Sequence, residues 1–467
     1  MAASEYKDQT VEAGRFEKAF KQALSPLEDF VHRETSSGII LMSCVIVSIV
    51  IANSPLFTIY DSILHTKLTV GVPGLSLSHS LHHWINDGLM ALFFFVVGLE
   101  VKREILIGEL SNLKGAILPI GMAIGGMVVP ASCYLIFNHT GEATNGWGIP
   151  MATDIAFALG ILALLGSRIP KTLIALLLAI AIVDDIGAVL VIAVFYTDTI
   201  HYIALVAAGI FFVILVLANL GGVRSPIPYV IFGLAMWVAM FESGVHATLA
   251  GILVAFTIPA RSAANSFMFA NRMKTLSGDY QAQILGSEQQ TGDVKLNVLR
   301  NNQKQIILQS MENAVNSMES PLQRLEHGLH SWVAFLIVPI FALANAGIPI
   351  EVAALPTILS SPVTLGIMSG LVIGKVVGIY GAYLIITKFG ISKLPAGVNP
   401  LQVLGISLLA GIGFTMSIFI GTLAFEYQPE YLLNAKIGIV CASLVAGVVG
   451  YVVLFKASRT TSQSLND

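Results

Sequence analysis

Four charged residues lie in stretches that are otherwise apolar. They are Asp154 in IPMATDIAFALG, the pair Asp184 and Asp185 in AIAIVDDIGAVLV, and Lys375 in GLVIGKVVGIYG. An Asp or Lys at the centre of a membrane helix costs roughly 2.5–3.5 kcal/mol, so four unpaired ones would cost on the order of 10 kcal/mol. They cannot reach the surface by stretching. Asp184 is 13 residues from Lys171, about 20 Å along a helix. Lys375 is 12 residues from Val363, about 18 Å. One Asp and one Lys would make an ordinary buried ion pair, but three acids against one base leave negative charge that a structural pair does not explain. Intramembrane carboxylates mark ion and proton pathways. Oxygen ligands without Cys or His select a hard cation over zinc or copper. No cage of six to eight oxygens is visible, so a monovalent ion fits better than calcium. Burial also favours the protonated form of a carboxylate. Cation and proton then compete for the same oxygens, and that competition is the chemistry of antiport.

The spacing separates the roles. Successive helical residues point about 100° apart, so Asp184 and Asp185 face different neighbours. Asp154 follows Thr153 in a segment flanked by Pro150 and Gly160. Such a segment is either a Pro-kinked helix or a broken one whose freed carbonyls hold a cation. LAGIGFTMSIFIG carries Gly411, Gly413 and Gly421, with Gly405 before it and polar Thr415 and Ser417 within it. Close helix packing alone would also use such glycines. One interrupted segment in each half of the chain is the mark of an inverted-repeat transporter.

The elements that must hold these residues follow from composition. Charged residues are 11% of the 467, against roughly 25% in soluble proteins, and mean hydropathy is +0.80. This excludes a soluble multidomain chain, and the net charge of −3 argues against nucleic-acid binding. The expected fold is an all-α polytopic membrane protein of about 12 transmembrane helices, with inverted repeats and interrupted spans 4 and 11. Spans are read at 37–53, 82–102, 116–137, 149–166, 172–196, 202–219, 228–241, 243–258, 328–348, 363–387, 402–424 and 433–456. With the N-terminus inside, 22 of the 25 basic residues fall on inner segments, so both termini are expected in the cytoplasm. The domain reading is a cytoplasmic N-terminal tail at 1–35, an antiporter domain at 36–457 with a polar cytoplasmic insertion at 261–325, and a C-terminal tail at 458–467. Residues 66–78 alternate around Pro73-Gly74 and predict a small outer hairpin. Within the insertion, an apolar stripe from Leu299 to Met318 predicts one helix near 294–318. Cys44, Cys133 and Cys441 lie in apolar runs and predict buried thiols rather than a disulfide.

Several motifs together carry a resemblance. ATDIAFALG, VDDIGA, GVHATLAG, GLEVKREI, the Asn345-Ala346-Gly347 turn and GIGFTMSIF resemble those of the bacterial NhaA-type sodium/proton antiporters, over roughly residues 36–457 minus the insertion. The resemblance implies a homodimeric, pH-activated exchanger of the bacterial inner membrane. It would export cytoplasmic Na⁺ or Li⁺ against external protons, two protons per sodium, and would need no cofactor. Carried onto this chain, Asp184 and Asp185 are the ion-binding carboxylates. Asp154 and Thr153 lie at a helix crossing, where Asp154 compensates the facing helix N-termini. Lys375 balances the opposite ends, pairs with Asp184 and releases it on deprotonation. The 66–78 hairpin matches the dimer contact, and Asp87 in WINDG matches an acid of no assigned role. The same resemblance implies pH sensing by Glu100, Arg103, Glu104, His246, Glu326, His327 and His330. Without it, Glu100, Arg103 and Glu104 read as juxtamembrane ion pairs, and His327 and His330 as a helix start. The chain departs from the family in its polar insertion, directly before Glu326, and in its long N-terminal tail.

Three other readings make different demands. A proton-coupled carrier of an organic anion would need a basic residue in the cavity, for which Lys375 is the candidate. An intramembrane aspartyl protease needs two Asp on separate helices in a YD and GxGD-like context, and here Asp185 is followed by Ile-Gly. A sensory paralogue without transport would not be expected to keep the set Asp154, Asp184, Asp185 and Lys375.

Overall fold

Long apolar segments in a bilayer must satisfy their backbone groups internally, which favours helices. The computed structural model describes residues 34–72, 75–108, 110–197, 200–262, 266–288, 302–351 and 353–463. The tail read at 1–35 therefore lies, except for its last two residues, outside the described residues, as does the end of the C-terminal tail. The described chain is nearly all helical. Among the described residues, seven helices are long and apolar enough to cross a membrane, or up to nine if each of two bent pairs is one span. Pro226–Glu242 and Thr248–Thr257 are shorter apolar helices.

The helices form two compact units. The first draws on Met1–Thr66, Leu118–Asp184 and Ala334–Asp467. Here Leu113–Phe137 and Lys375–Lys388 approach so closely that a Cβ on Gly125 would strike the Gly378 carbonyl, and the reverse also holds. Small residues at such contacts let membrane helices pack backbone to backbone. Glu34–Ala52 packs on Ile155–Leu165, with Gly38 against Gly160. The chain then bends by 111° into Phe57–His65. That corner caps the end of Val338–Asn345, because Tyr60 donates its hydroxyl to the Leu343 carbonyl at 2.7 Å and Ser48 donates to the same oxygen at 2.8 Å. Asn53 Nδ2 donates to Ile348 O, and Asn53 Oδ1 accepts from Ile350 N. The Asn345-Ala346-Gly347 turn is thus fixed from a second element.

The second unit draws on Lys67–Ile117 and Asp185–Val333. Residues Lys67–Val72 and Leu75–Ser80 pair as an antiparallel hairpin, with Lys67 opposite Ser80 and Val70 opposite Leu77. Trp84 Nε1 donates to Leu68 O at 3.0 Å, which ties the hairpin to the π-helical turn Trp84–Leu89. That turn leads into Met90–Ile107, which packs on Thr248–Thr257; Gly251 lies against the Ala91 carbonyl there. Leu99, Tyr229, Met236, Val254 and Ile258 form the buried centre of this unit. The polar insertion holds two helices where the sequence predicted one. Ser266–Glu288 and Asn302–Met318 pack against each other. The apolar stripe assigned to 294–318 forms the second of them, and residues 289–301 lie outside the described residues.

Candidate ion-exchange site

The first unit contains two breaks in helical structure that meet. The 3₁₀ segment Glu142–Met151 gives way to Ile155–Leu165 across Ala152, Thr153 and Asp154. Pro400–Leu409 gives way to Phe414–Ala424 across a bend of 44°. A helix begins with donor groups that have no partner within it and a partial positive charge. Asp154 serves both beginnings. Its Oδ1 accepts from Phe157 N at 3.0 Å, and its Oδ2 accepts from Thr415 N at 2.9 Å and Thr415 Oγ1 at 2.6 Å. Asp154 N also donates to Ile412 O at 2.6 Å. The side chain is 2% exposed, so these partners replace water. Two further contacts hold the breaks together. Ser417 Oγ donates to Ile149 O at 2.8 Å, and any Cβ on Gly413 would meet Ser417 Oγ and the Ala152 carbonyl. That glycine is required by close approach.

Beside the crossing is the charged pair. Lys375 Nζ lies 2.6 Å from Asp184 Oδ2 and 3.0 Å from Thr153 Oγ1. Both side chains of the ion pair are fully buried. Thr153 Oγ1 lies 2.9 Å from Asp184 Oδ2 and 3.0 Å from Ala410 O. A hydroxyl has one proton to donate, so Thr153 gives it to the carboxylate or to the second break, and not to both at once. Lys375 is the first residue after the π-helical turn Ser369–Gly374. Such turns often mark functional positions in helices. Among the described residues, Asp184 Oδ1 is buried without a hydrogen-bond partner. It keeps lone pairs directed into a water-poor interior, where a cation is a strong partner.

Asp154, Thr153, Asp184 and Lys375 are thus brought together. Asp185 follows on Lys171–Phe195 and is likewise buried, at 1% exposure. Lys375 was expected to balance the opposite, negative helix ends, and its ammonium is linked to Ala410 O through the Thr153 hydroxyl. Thr415 stood out in the sequence only as a polar residue of an apolar span, and its role as a partner of Asp154 was missed. The N-cap preference for Asp was the available signal at Asp154 itself.

The residues expected to sense pH are only partly assembled. Arg103 Nε lies 2.9 Å from Glu326 Oε1, and Arg103 Nη2 lies 3.1 Å from Glu104 Oε1. Glu100 feels the field of all three. Glu326 sits on Pro321–Trp332, whose start is fixed by a reciprocal cap between Ser320 and Gln323. His327 and His330 are exposed on that helix and join none of these ion pairs. His246 lies elsewhere, with Nε2 2.6 Å from the Tyr196 carbonyl, one residue beyond the helix that carries Asp184 and Asp185.

Residues 28–454 match the family model described as Na⁺/H⁺ antiporter 1. The Na⁺/H⁺ antiporter NhaA 1 of Saccharophagus degradans is 49% identical over 96% of this chain and 95% of its own length. NhaA of Sulfurimonas denitrificans is 46% identical over 94% and 96%, and NhaA of Dichelobacter nodosus is 44% identical over 95% and 94%. Both helix breaks and the buried Lys375–Asp184 pair fall inside the matched range, and the chain therefore belongs to the Na⁺/H⁺ antiporter 1 family.

Proposed function

We propose that this chain is an electrogenic antiporter that exports cytoplasmic Na⁺ or Li⁺ in exchange for two external protons. The observation that carries the reading is the buried Lys375–Asp184 pair, bridged by Thr153 to the crossing of two helix breaks. An arriving cation competes with the ammonium for Asp184. Breaking a buried pair by removing one partner leaves an uncompensated charge, a penalty of about 3–5 kcal/mol. A cation that takes the place of Lys375 avoids that penalty, provided Lys375 gives up its proton. Asp185 supplies the second proton as it joins the cation. The site thus gains one positive charge and loses two. After reopening to the outside, protons reload it and expel the cation. One net charge enters per cycle, so the membrane potential contributes about 2.3 kcal/mol per 100 mV.

The finer architecture belongs to the same proposal. The nine long or bent-pair spans, with Met90–Ile107, Pro226–Glu242 and Thr248–Thr257, make twelve. The two breaks are then the interrupted helices of inverted repeats. The surrounding membrane is the bacterial inner membrane, with both termini and the 261–325 insertion in the cytoplasm. The hairpin read at 66–78 joins two copies into a homodimer. The Glu100, Arg103, Glu104 and Glu326 cluster carries activation by pH. No cofactor takes part.

The stoichiometry is tested with protein reconstituted into liposomes, by following Na⁺-driven proton flux while a potential is imposed with potassium and valinomycin. A potential negative on the side that protons enter is expected to accelerate exchange. A rate indifferent to potential would contradict two-for-one exchange.

A further inference from the structure

The strand Leu75–Ser80 meets the helix Pro226–Glu242 where His79 packs on Phe241. His79 also stacks on His83 of the short helix Leu81–His83, with ring centroids 4.6 Å apart and planes 19° from parallel. Phe241 stands nearly perpendicular to both imidazoles, 4.8 Å from His79 and 5.3 Å from His83. The aromatic group continues through Trp237, 5.5 Å from Phe241, to Trp84, 6.1 Å from Trp237. His83 Nε2 lies 3.4 Å from Asp87 Oδ2. Glu242 follows Phe241, His82 adjoins His83, and His201 N donates to Ser243 O at 2.9 Å. Lys67 is paired with Ser80 and so lies on the other face of the hairpin from His79. An aromatic belt at a membrane surface accounts for Trp84, Trp237 and Phe241. It does not account for two titratable rings stacked face to face, where a second proton would place two like charges together. Neither His79 nor His83 is among the pH-sensing residues that the family resemblance implies.

We propose that the His79–His83 stack is a proton-binding latch, which seats the hairpin on Phe241 while it carries no more than one proton and releases it on taking a second. His83 holds the first proton beside Asp87. That pair is local, at i,i+4, and survives when the strand lifts, so it does not bias the seat. The second proton goes to His79. Two unit charges 4.6 Å apart disfavour the doubly charged stack by about fivefold in a watery surrounding and by more in a drier one. Burial first, and then His83, hold the His79 imidazole below its ordinary range, against the pull of Glu242 and Asp87. An imidazole free of the stack takes its proton near pH 6.5, and the stacked one only at lower pH. The released hairpin therefore binds more protons, so the seat is stable above about pH 6.5 and weakens as pH falls below it. One such proton shifts the seating equilibrium by up to about tenfold between pH 7.5 and 5.5. On the topology proposed above the hairpin faces the outer solution, and the latch reads external acid; a test in detergent does not depend on that topology.

The test is hydrogen exchange by mass spectrometry on the full chain in detergent at pH 7.5 and 5.5, with rates corrected for the pH dependence of amide exchange itself. Lys67–Val72 and Leu75–Ser80 are expected to exchange up to about tenfold faster at pH 5.5, while Leu113–Phe137 stays unchanged and reports an intact fold. His79→Phe keeps a ring and His79→Gln does not, but neither takes a proton in this range. Both are expected to remove the acceleration, with slow exchange at both pH values for the first and fast exchange at both for the second. His82→Gln is expected to leave the acceleration in place. Native exchange that does not respond to pH, an acceleration that survives in either His79 variant, or its loss in His82→Gln overturns the proposal. An acceleration that disappears when the protein is diluted to single copies assigns the effect to a contact between copies and overturns it as well.

Discussion

Replacing Lys375 with alanine is expected to lower stability by about 3–5 kcal/mol, the cost of leaving a buried charge without its partner. Asp184 Oδ2 loses an ammonium at 2.6 Å, and Thr153 loses a donor at 3.0 Å. Among the described residues Asp184 Oδ1 already lacks a hydrogen-bond partner, and the partner left to the carboxylate there is the Thr153 hydroxyl. The thermal unfolding midpoint in detergent reads this loss, and Na⁺ should restore part of it, because a ligand that binds only the folded state stabilises it. Transport offers an independent readout. Lys375 carries one of the two proposed protons, so any exchange the variant retains should be one for one and insensitive to an imposed potential. An unchanged midpoint together with unchanged charge per turnover would remove Lys375 from the mechanism.

Asp154→Ala should have a comparable effect for a different reason. The carboxylate accepts from two helix beginnings at once, Phe157 N and Thr415 N, and from the Thr415 hydroxyl. Hydrogen bonds to a charged group contribute about 1.5–3 kcal/mol each, and each helix start also loses a compensating negative charge. A loss of about 3–5 kcal/mol is expected once the breaks have relaxed. The series should be graded. Asp154→Asn keeps one acceptor oxygen and can satisfy one of the two helix starts, while its NH₂ faces a donor at the other. Thr415→Val keeps the backbone donor and removes only the hydroxyl, so it should cost least, about 1–2 kcal/mol. Denaturation midpoints of the three variants in one detergent test the order. Equal midpoints for Asp154→Ala and Thr415→Val would mean that Asp154 does not bridge the two helices.

The site was legible in the sequence because charge in a membrane is costly. Asp154, Asp184, Asp185 and Lys375 stood out against apolar neighbours, and the distance arguments kept them away from the surface. Thr415 was not legible in the same way, since a threonine is inexpensive in a membrane helix and its partner is 261 positions away. The π-helical turn before Lys375 has no compositional signature. Within it, Gly370 lies against Pro130 and Pro150, and Gly374 against Pro130. The hairpin showed its alternation, and the structure pairs it from Lys67 to Ser80. Ser266–Glu288 was missed because its half-buried stripe is offset by the exposed Phe267 and Met268, which blur the helical period. Residue type alone does not say where a histidine sits: His327 and His330 share the helix Pro321–Trp332, while His246 meets the Tyr196 carbonyl.

The central claim is that the buried carboxylates exchange a cation for protons. The most direct measurement is Na⁺-induced dequenching of a pH-sensitive dye in everted membrane vesicles, comparing the native chain with Asp184→Asn and Asp185→Asn at matched membrane levels. The account predicts a sodium-dependent signal from the native chain and none from either variant. Normal Na⁺-dependent proton flux through Asp185→Asn would contradict it.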